Sequence, residues 1–250
     1  MNRHAVASLC AIGLCSLLTM GAAWAAEEAA TEEGAPGTKP PPAEFAGMPL
    51  VFHDDFEDGR ANWVATDENA WELTEDDGDT VFSLVRGSQY EPPYRSPLNI
   101  ARVRDVVVTD FVLDAEMKQT GKDYGHRDMC IFFGYQDPAH FYYVHIATKA
   151  DSSANSIFIV DAAERTSIAS ERTDGTDWGR DEYHKVRVTR NIESGDIAVY
   201  YDDMDKPIMK ACDKTFLWGT VGFGSFDDTG NIDNVCLWGK LREGTNSEGN

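Results

Sequence analysis

The stretch Tyr124 to His145, YGHRDMCIFFGYQDPAHFYYVH, is the densest mixture of polar and aromatic side chains in the sequence. It reads as a β-hairpin with Gln136–Ala139 as its loop. A register with Tyr135 opposite His140 sets Phe133 opposite Tyr142 and Ile131 opposite Val144 on one face. Alternation then gives the other face His126, Asp128, Cys130, Phe132, Phe141, Tyr143 and His145. A slip of one residue would invert the assignment. Two histidines, an aspartate and a tyrosine on one sheet surface suit both general acid–base work and sugar recognition. The same residues could instead decorate a solvated face, with the aromatics filling the core.

Three further groups could do chemistry. Arg95 sits in the proline-stiffened run YEPPYRSP, and from Arg86 to Arg104 there are four arginines and one acid. A guanidinium grips a carboxylate or sulfate bidentately, which suits an acidic sugar, or it balances nearby Asp and Glu. Asp114 and Glu116 share one strand face about 7 Å apart, a spacing open to paired-carboxylate glycoside hydrolysis and equally to a solvated strand. Finally, HDDFEDG (His53–Gly59) and GNIDNV (Gly230–Val235) are rich in oxygen donors. Asp233 and Asp55 are the candidate calcium ligands, since calcium takes six to eight oxygens. Simple alternation puts Asp233 on the face of Val235 and Leu237, where a carboxylate needs a cation or donors. No GxSxG, HExxH, Walker loop, GxGxxG or CxxC occurs.

The elements that must position these residues are strands. Short β-rich runs alternate with turn clusters such as Asp77-Gly78-Asp79, Glu193-Ser194-Gly195 and Asp227-Asp228-Thr229-Gly230. In Phe111–Lys118, the residues Phe111, Leu113, Ala115 and Met117 face one way and Val112, Asp114, Glu116 and Lys118 the other. Val186 and Val188, and Ile197, Val199 and Tyr201, alternate likewise. One wet and one dry face per strand predicts an all-β, two-sheet antiparallel β-sandwich, with little helix.

The chain has 250 residues and a net charge of −21. That charge argues against nucleic acid and anionic membrane surfaces as partners. Residues 1–25 read as a signal peptide: Arg3 and His4, an apolar run, then Ala23-Trp24-Ala25 with cleavage after Ala25. No later segment is long and apolar enough for membrane insertion. The expectation is a secreted or periplasmic protein. Residues 26–47 read as a disordered linker, 48–241 as the sandwich domain and 242–250 as a flexible tail. Beyond the leader three cysteines remain, Cys130, Cys212 and Cys236. At least one must be a free thiol, and pairing of Cys212 with Cys236 stays open.

The opening DDFEDG, with Trp63 and Trp71 after it, and the closing VGFGSFDDTG and IDNVCLWG resemble the concanavalin A-like lectin/glucanase superfamily, including laminin G-like jelly rolls. RSPLNIA, GHRDMCIFFGYQDPAHFYYVHIA and GFGSFDDTG further resemble a set of exported bacterial proteins of unassigned role. The resemblance implies a jelly roll with a glycan-binding concave sheet and a structural calcium at Asp233. It matches the glucanase ExDxE signature only in part, because Val112 stands where the first acid belongs. Family lyases work with Tyr, His, Arg and Gln or Asn, which here would be Tyr143, His145, Arg95 or Arg127, and Gln136. The leading expectation is recognition of a polysaccharide or other glycan through His126, Asp128, Tyr143, His145, Arg95 and Gln136. The alternatives are a polysaccharide lyase, a glycoside hydrolase, or a laminin G-like protein-interaction module.

Overall fold

The computed structural model describes residues 40–243. The leader, most of the expected linker and residues 244–250 lie outside the described residues. Seventeen strands form two antiparallel sheets: β1 Glu44–Phe45, β2 Met48–Asp54, β3 Trp63–Ala65, β4 Trp71–Asp76, β5 Asp79–Leu84, β6 Asn99–Val103, β7 Val108–Gln119, β8 Asp128–Asp137, β9 His140–Ala147, β10 Ser156–Asp161, β11 Thr166–Ser167, β12 Ala169–Arg172, β13 His184–Arg190, β14 Asp196–Tyr201, β15 Met209–Cys212, β16 Thr220–Ser225 and β17 Gly230–Leu241. The one helical turn among the described residues is a 3-10 turn at Glu68–Ala70, capped by the Asp67 carboxylate on the Asn69 N–H. No helix among them is long and apolar enough to cross a membrane.

One sheet runs β1-β2-β17-β7-β13-β14-β15-β12, with β5 on β17 and β4 on β5; the other runs β11-β10-β9-β8-β16-β6-β3. The residues whose alternation defines a dry face do fill the space between the sheets. Phe111, Leu113, Ala115 and Met117 pack with Val186, Val188, Ile197 and Val199 from one side. Met129, Ile131, Phe133, Tyr142, Val144 and Ile146 meet them from the other. Each buried Val, Leu, Ile, Phe or Met among them stabilises the fold by about 1.5–3 kcal/mol.

The ordered fold begins before residue 47. Phe45 pairs with Met48, packs against Trp238 in a tilted contact with ring centroids 5.2 Å apart, and lies under the Arg187 guanidinium. Trp238 Nε1 also donates to the Pro42 carbonyl at 2.8 Å. At the other end Arg242 still donates its backbone N–H to Val107 and its guanidinium lies over Trp218. Low apolar content hid the first of these, because a two-residue strand held by one aromatic has no periodicity to read. The three cysteines among the described residues are free: Cys130 buried, Cys212 exposed and Cys236 half-buried.

Asp233 does not lie on the face of Val235 and Leu237. The ladder between β17 and β7 shifts between Asp233 and Cys236, and Asn234 takes the left-handed conformation at φ 49°. This bulge absorbs one residue, so Ile232 and Val235 both enter the core while Asp233 shares the outer face of its partner Glu116. Asp233 is buried there all the same, at 4% exposure.

Candidate functional site

The β8–β9 hairpin places the polar–aromatic segment. Its register has Ile131 opposite Val144, Phe133 opposite Tyr142 and Cys130 opposite His145, as the alternation requires. Near the turn it differs, with Asp137 rather than Tyr135 opposite His140. The offset is taken up at Gly134, whose φ of +56° suits glycine. Asp137 then closes a tighter loop by accepting from the Ala139 N–H at 2.7 Å and pairing with His140 Nδ1 at 2.8 Å.

On the outer face of the seven-stranded sheet Cys130, Phe132, Phe141 and Tyr143 join Ile100, Tyr135, Phe158 and Val160 in a second apolar cluster, with Tyr94 and Phe226 packed against it. Loops thus cover the aromatic platform. Tyr143 is fully buried and accepts from Arg165 at 2.8 Å. Burial keeps the Tyr143 hydroxyl protonated well beyond its ordinary range, against the opposing charge of Arg165.

A cavity of about 450 Å³ opens where this cover ends, lined by Arg95, Tyr124, His126, Asp128, His145, Arg165, Phe226 and Asp227 among others. Asp128 and His145 form its floor, at 1% and 5% exposure. Asp128 Oδ1 accepts from Ser225 Oγ at 3.0 Å, and Oδ2 from the Cys130 thiol at 3.1 Å. His145 Nε2 stands 3.0 Å from the same Oδ2, close enough to pair as charges. The line between them is poorly aligned for a hydrogen bond, so neither ring nitrogen of His145 has an aligned partner. Burial works to raise the Asp128 carboxyl, but His145, Cys130 and Ser225 outweigh it and hold it below the ordinary range. Burial, then Asp128, pushes the Cys130 thiol far up.

Asp228 is the neighbouring carboxyl. Its Oδ2 accepts from the Asp128 N–H at 2.8 Å and from Tyr124 Oη at 2.9 Å, and its own N–H donates to Ser225 Oγ at 3.0 Å. Burial is the main cause that pushes it up to about 7, with Asp128 adding to the push.

Of the residues singled out by sequence, Asp128, His145, His126 and Arg95 converge on this cavity. His126 is at its mouth, 3.3 Å from Asp151. Tyr143 lies beneath the floor and does not line it. Arg127 points elsewhere, donating to the Gly179 carbonyl with Asp123 and Asp177 at 3.8 Å. Gln136 is at the far end of the hairpin, donating to the Trp218 carbonyl. Asp114 faces the outside of the other sheet and is clamped by Arg187 at 2.6 and 2.7 Å, with Lys185 at 3.3 Å, which makes it a structural carboxylate. Glu116 accepts from Asn234 Nδ2. Arg165, Phe226 and Asp228 escaped the sequence reading. The acid pair in SFDD beside the GHRD turn was the available signal for Asp228; Arg165, a lone base in a turn, gave none.

Near the bulge, Asp233 accepts from the Asn234 N–H at 2.7 Å and from Asn234 Nδ2 at 3.1 Å. Burial, then the carboxylates of Asp79, Glu116 and Asp55, push it up to about 7. Among the described residues no Lys, Arg or His lies within ion-pair distance of it. The carboxylates of Asp79, Glu116 and Asp55 act on Asp233 through their charge, whereas the all-carboxylate group whose oxygens lie within 4.8 Å of one another among the described residues is Asp128, Asp227 and Asp228.

No family model and no curated protein sequence matches the chain. Solved structures do. A carbohydrate-binding module, CBM66 from Bacillus subtilis, superposes with a TM-score of 0.51 at 14% identity, covering 71% of this chain and 95% of that one. Winged bean acidic lectin complexed with methyl-α-D-galactose gives 0.52 at 12% identity, over 77% and 98%. The GH43 protein BlXynB of Bacillus licheniformis gives 0.54 at 12% identity over 75% of this chain but only 39% of its own length. The fold is therefore a two-sheet jelly-roll sandwich, as in these proteins.

Proposed function

We propose that the chain binds a carbohydrate in the cavity above β8 and β9. The observation that carries this reading is the convergence of Arg95, His126, Asp128 and His145 around one concave space rimmed by Phe226. Its volume lies in the ordinary range for small-ligand sites, and its mix of an apolar wall with a few fixed polar groups is what orients a polyhydroxylated ring. Likeness of fold to lectins and carbohydrate-binding modules supports the class of ligand. The test is retention on a panel of neutral and acidic polysaccharides. His145→Ala and Arg95→Ala lose retention while Gln136→Ala keeps it; unchanged retention in both of the first two refutes the assignment.

Cleavage of the bound saccharide is a second reading, favoured by one observation. Asp128 is held low while adjacent Asp228 is pushed up to about 7, the split that separates a base from an acid. Release of soluble fragments from the same panel distinguishes it, and an unsaturated uronate product marks a lyase. Calcium, in this proposal, is structural and held by Asp233 with Asp55 and Asp79; the unneutralised carboxylates there support it.

A further inference from the structure

Cys130, buried just beneath the cavity, completes with Asp128 and His145 of its floor a ligand set that saccharide binding does not require. A carboxylate oxygen of Asp128, the Sγ of Cys130 and a ring nitrogen of His145 all lie within 4.8 Å of one another. Asp128 Oδ2 is the hub, 3.1 Å from Sγ and 3.0 Å from Nε2. Zinc bond lengths of about 2.0–2.3 Å place tetrahedral ligands about 3.3–3.8 Å apart, so the three atoms need only small shifts to surround an ion. His145, at 5% exposure, lines the cavity, yet neither ring nitrogen has an aligned hydrogen-bond partner. A buried imidazole is normally satisfied, and here Nδ1 has no partner while Nε2 has only the unaligned approach of Asp128 Oδ2, which leaves room for a further ligand. From these observations we propose that Asp128, Cys130 and His145 bind a divalent transition-metal cation of the zinc class.

The chemistry of the donors selects the ion. One sulfur, one nitrogen and one oxygen suit borderline-soft Zn²⁺ or Co²⁺, whereas Ca²⁺ and Mg²⁺ want oxygen alone. The neighbouring all-carboxylate group of Asp128, Asp227 and Asp228 shares Asp128 but lacks the sulfur and nitrogen that favour such an ion. Three protein ligands, two of which line the cavity, would leave a fourth position for water or a substrate oxygen. Ser225 Oγ, bonded to Asp128 Oδ1, and the Asp128 backbone on Asp228 hold the carboxylate in place as supporting partners. Binding costs Cys130 its thiol proton, so one proton is released to solvent for each thiolate–metal bond formed. The inference does not depend on the saccharide reading.

The test is titration of the full chain with Co²⁺, followed in the near ultraviolet, and with Zn²⁺ by calorimetry. One equivalent of Co²⁺ gives a thiolate-to-metal charge-transfer band, and Zn²⁺ abolishes it by competition. Cys130→Ser removes the band and weakens Zn²⁺ binding at least tenfold; Cys212→Ser and His140→Ala leave both unchanged. Absence of stoichiometric Zn²⁺ binding by the unaltered chain overturns the proposal. So does a band that survives Cys130→Ser. Far-ultraviolet circular dichroism identifies any variant that fails to fold, and the unaltered chain alone suffices to refute.

Discussion

Replacing Asp233 by Asn probes the acidic end of the ten-stranded sheet. Its carboxyl moves from 3.8 to about 7 on folding, chiefly through burial and then through Asp79, Glu116 and Asp55. That displacement of about 3 pH units, at about 1.4 kcal/mol each, sets a ceiling of about 4 kcal/mol. Screening at a realistic protein dielectric brings the expected figure to about 2 kcal/mol. The folded pKa lies above the unfolded one, so the native chain binds more protons between about pH 4 and 7. This group's contribution to stability therefore falls as pH rises through that window, and its full cost is present above pH 7. Asn does not titrate. In chelator, D233N thus gains on the unaltered chain by about 2 kcal/mol between pH 4 and pH 8. A constant offset of about 1 kcal/mol from the weakened contact to Asn234 Nδ2 does not alter that slope. Urea denaturation at pH 4, 6 and 8 measures it. A difference independent of pH, or one growing toward acid, refutes the reasoning. On the calcium proposal, excess calcium reverses the order at pH 8, because an ion at hundredfold its Kd stabilises the unaltered chain by about 2.7 kcal/mol and D233N by none.

Two other outcomes follow from the packing. Gly224→Ala puts a Cβ 1.8 Å from the Asn99 carbonyl oxygen and 3.1 Å from the Phe132 ring, so it destabilises by at least about 3 kcal/mol, read as a fall in the urea midpoint. Asp114→Ala strands the half-buried Arg187 and costs about 2–3 kcal/mol, yet leaves saccharide retention intact because the pair lies on the opposite sheet's outer face; retention assays on the folded variant check this.

Alternation made the sandwich legible. Phe111–Met117 and the Ile131–Val144 pairing depend on a period of two that survives any detail of the turns. What escaped was wherever that period breaks. The Gly134 bulge moved the loop end of the hairpin by two residues without disturbing its far end, so Cys130 and His145 still met as the pattern required. The Asn234 bulge did the reverse: it transferred Asp233 to the outer face, which no parity count could reveal without knowing where the extra residue goes. Residue types near one another in sequence also overstate a site. Tyr143, Arg127 and Gln136 belong to the same hairpin as His145, but the aromatic platform, a loop carbonyl and the hairpin tip claim them. Asp228 and Arg165 reach the same region from distant loops, and only the closed fold unites them with Asp128.

The position of β17 has a kinetic consequence. It lies in the interior of its sheet, with Cys236 opposite His53, Ile232 opposite Phe82 and Leu237 opposite Leu113. Strands made early therefore wait for one made late. At about 5–20 residues per second, synthesis leaves β2 without its neighbour for roughly ten seconds or longer. Pairings so remote along the chain also place folding in the slow, milliseconds-to-seconds regime of all-β topologies. During that interval the edges of β2 and β7 that β17 will cover are open backbone, a place where pairing with another unfinished chain competes with folding.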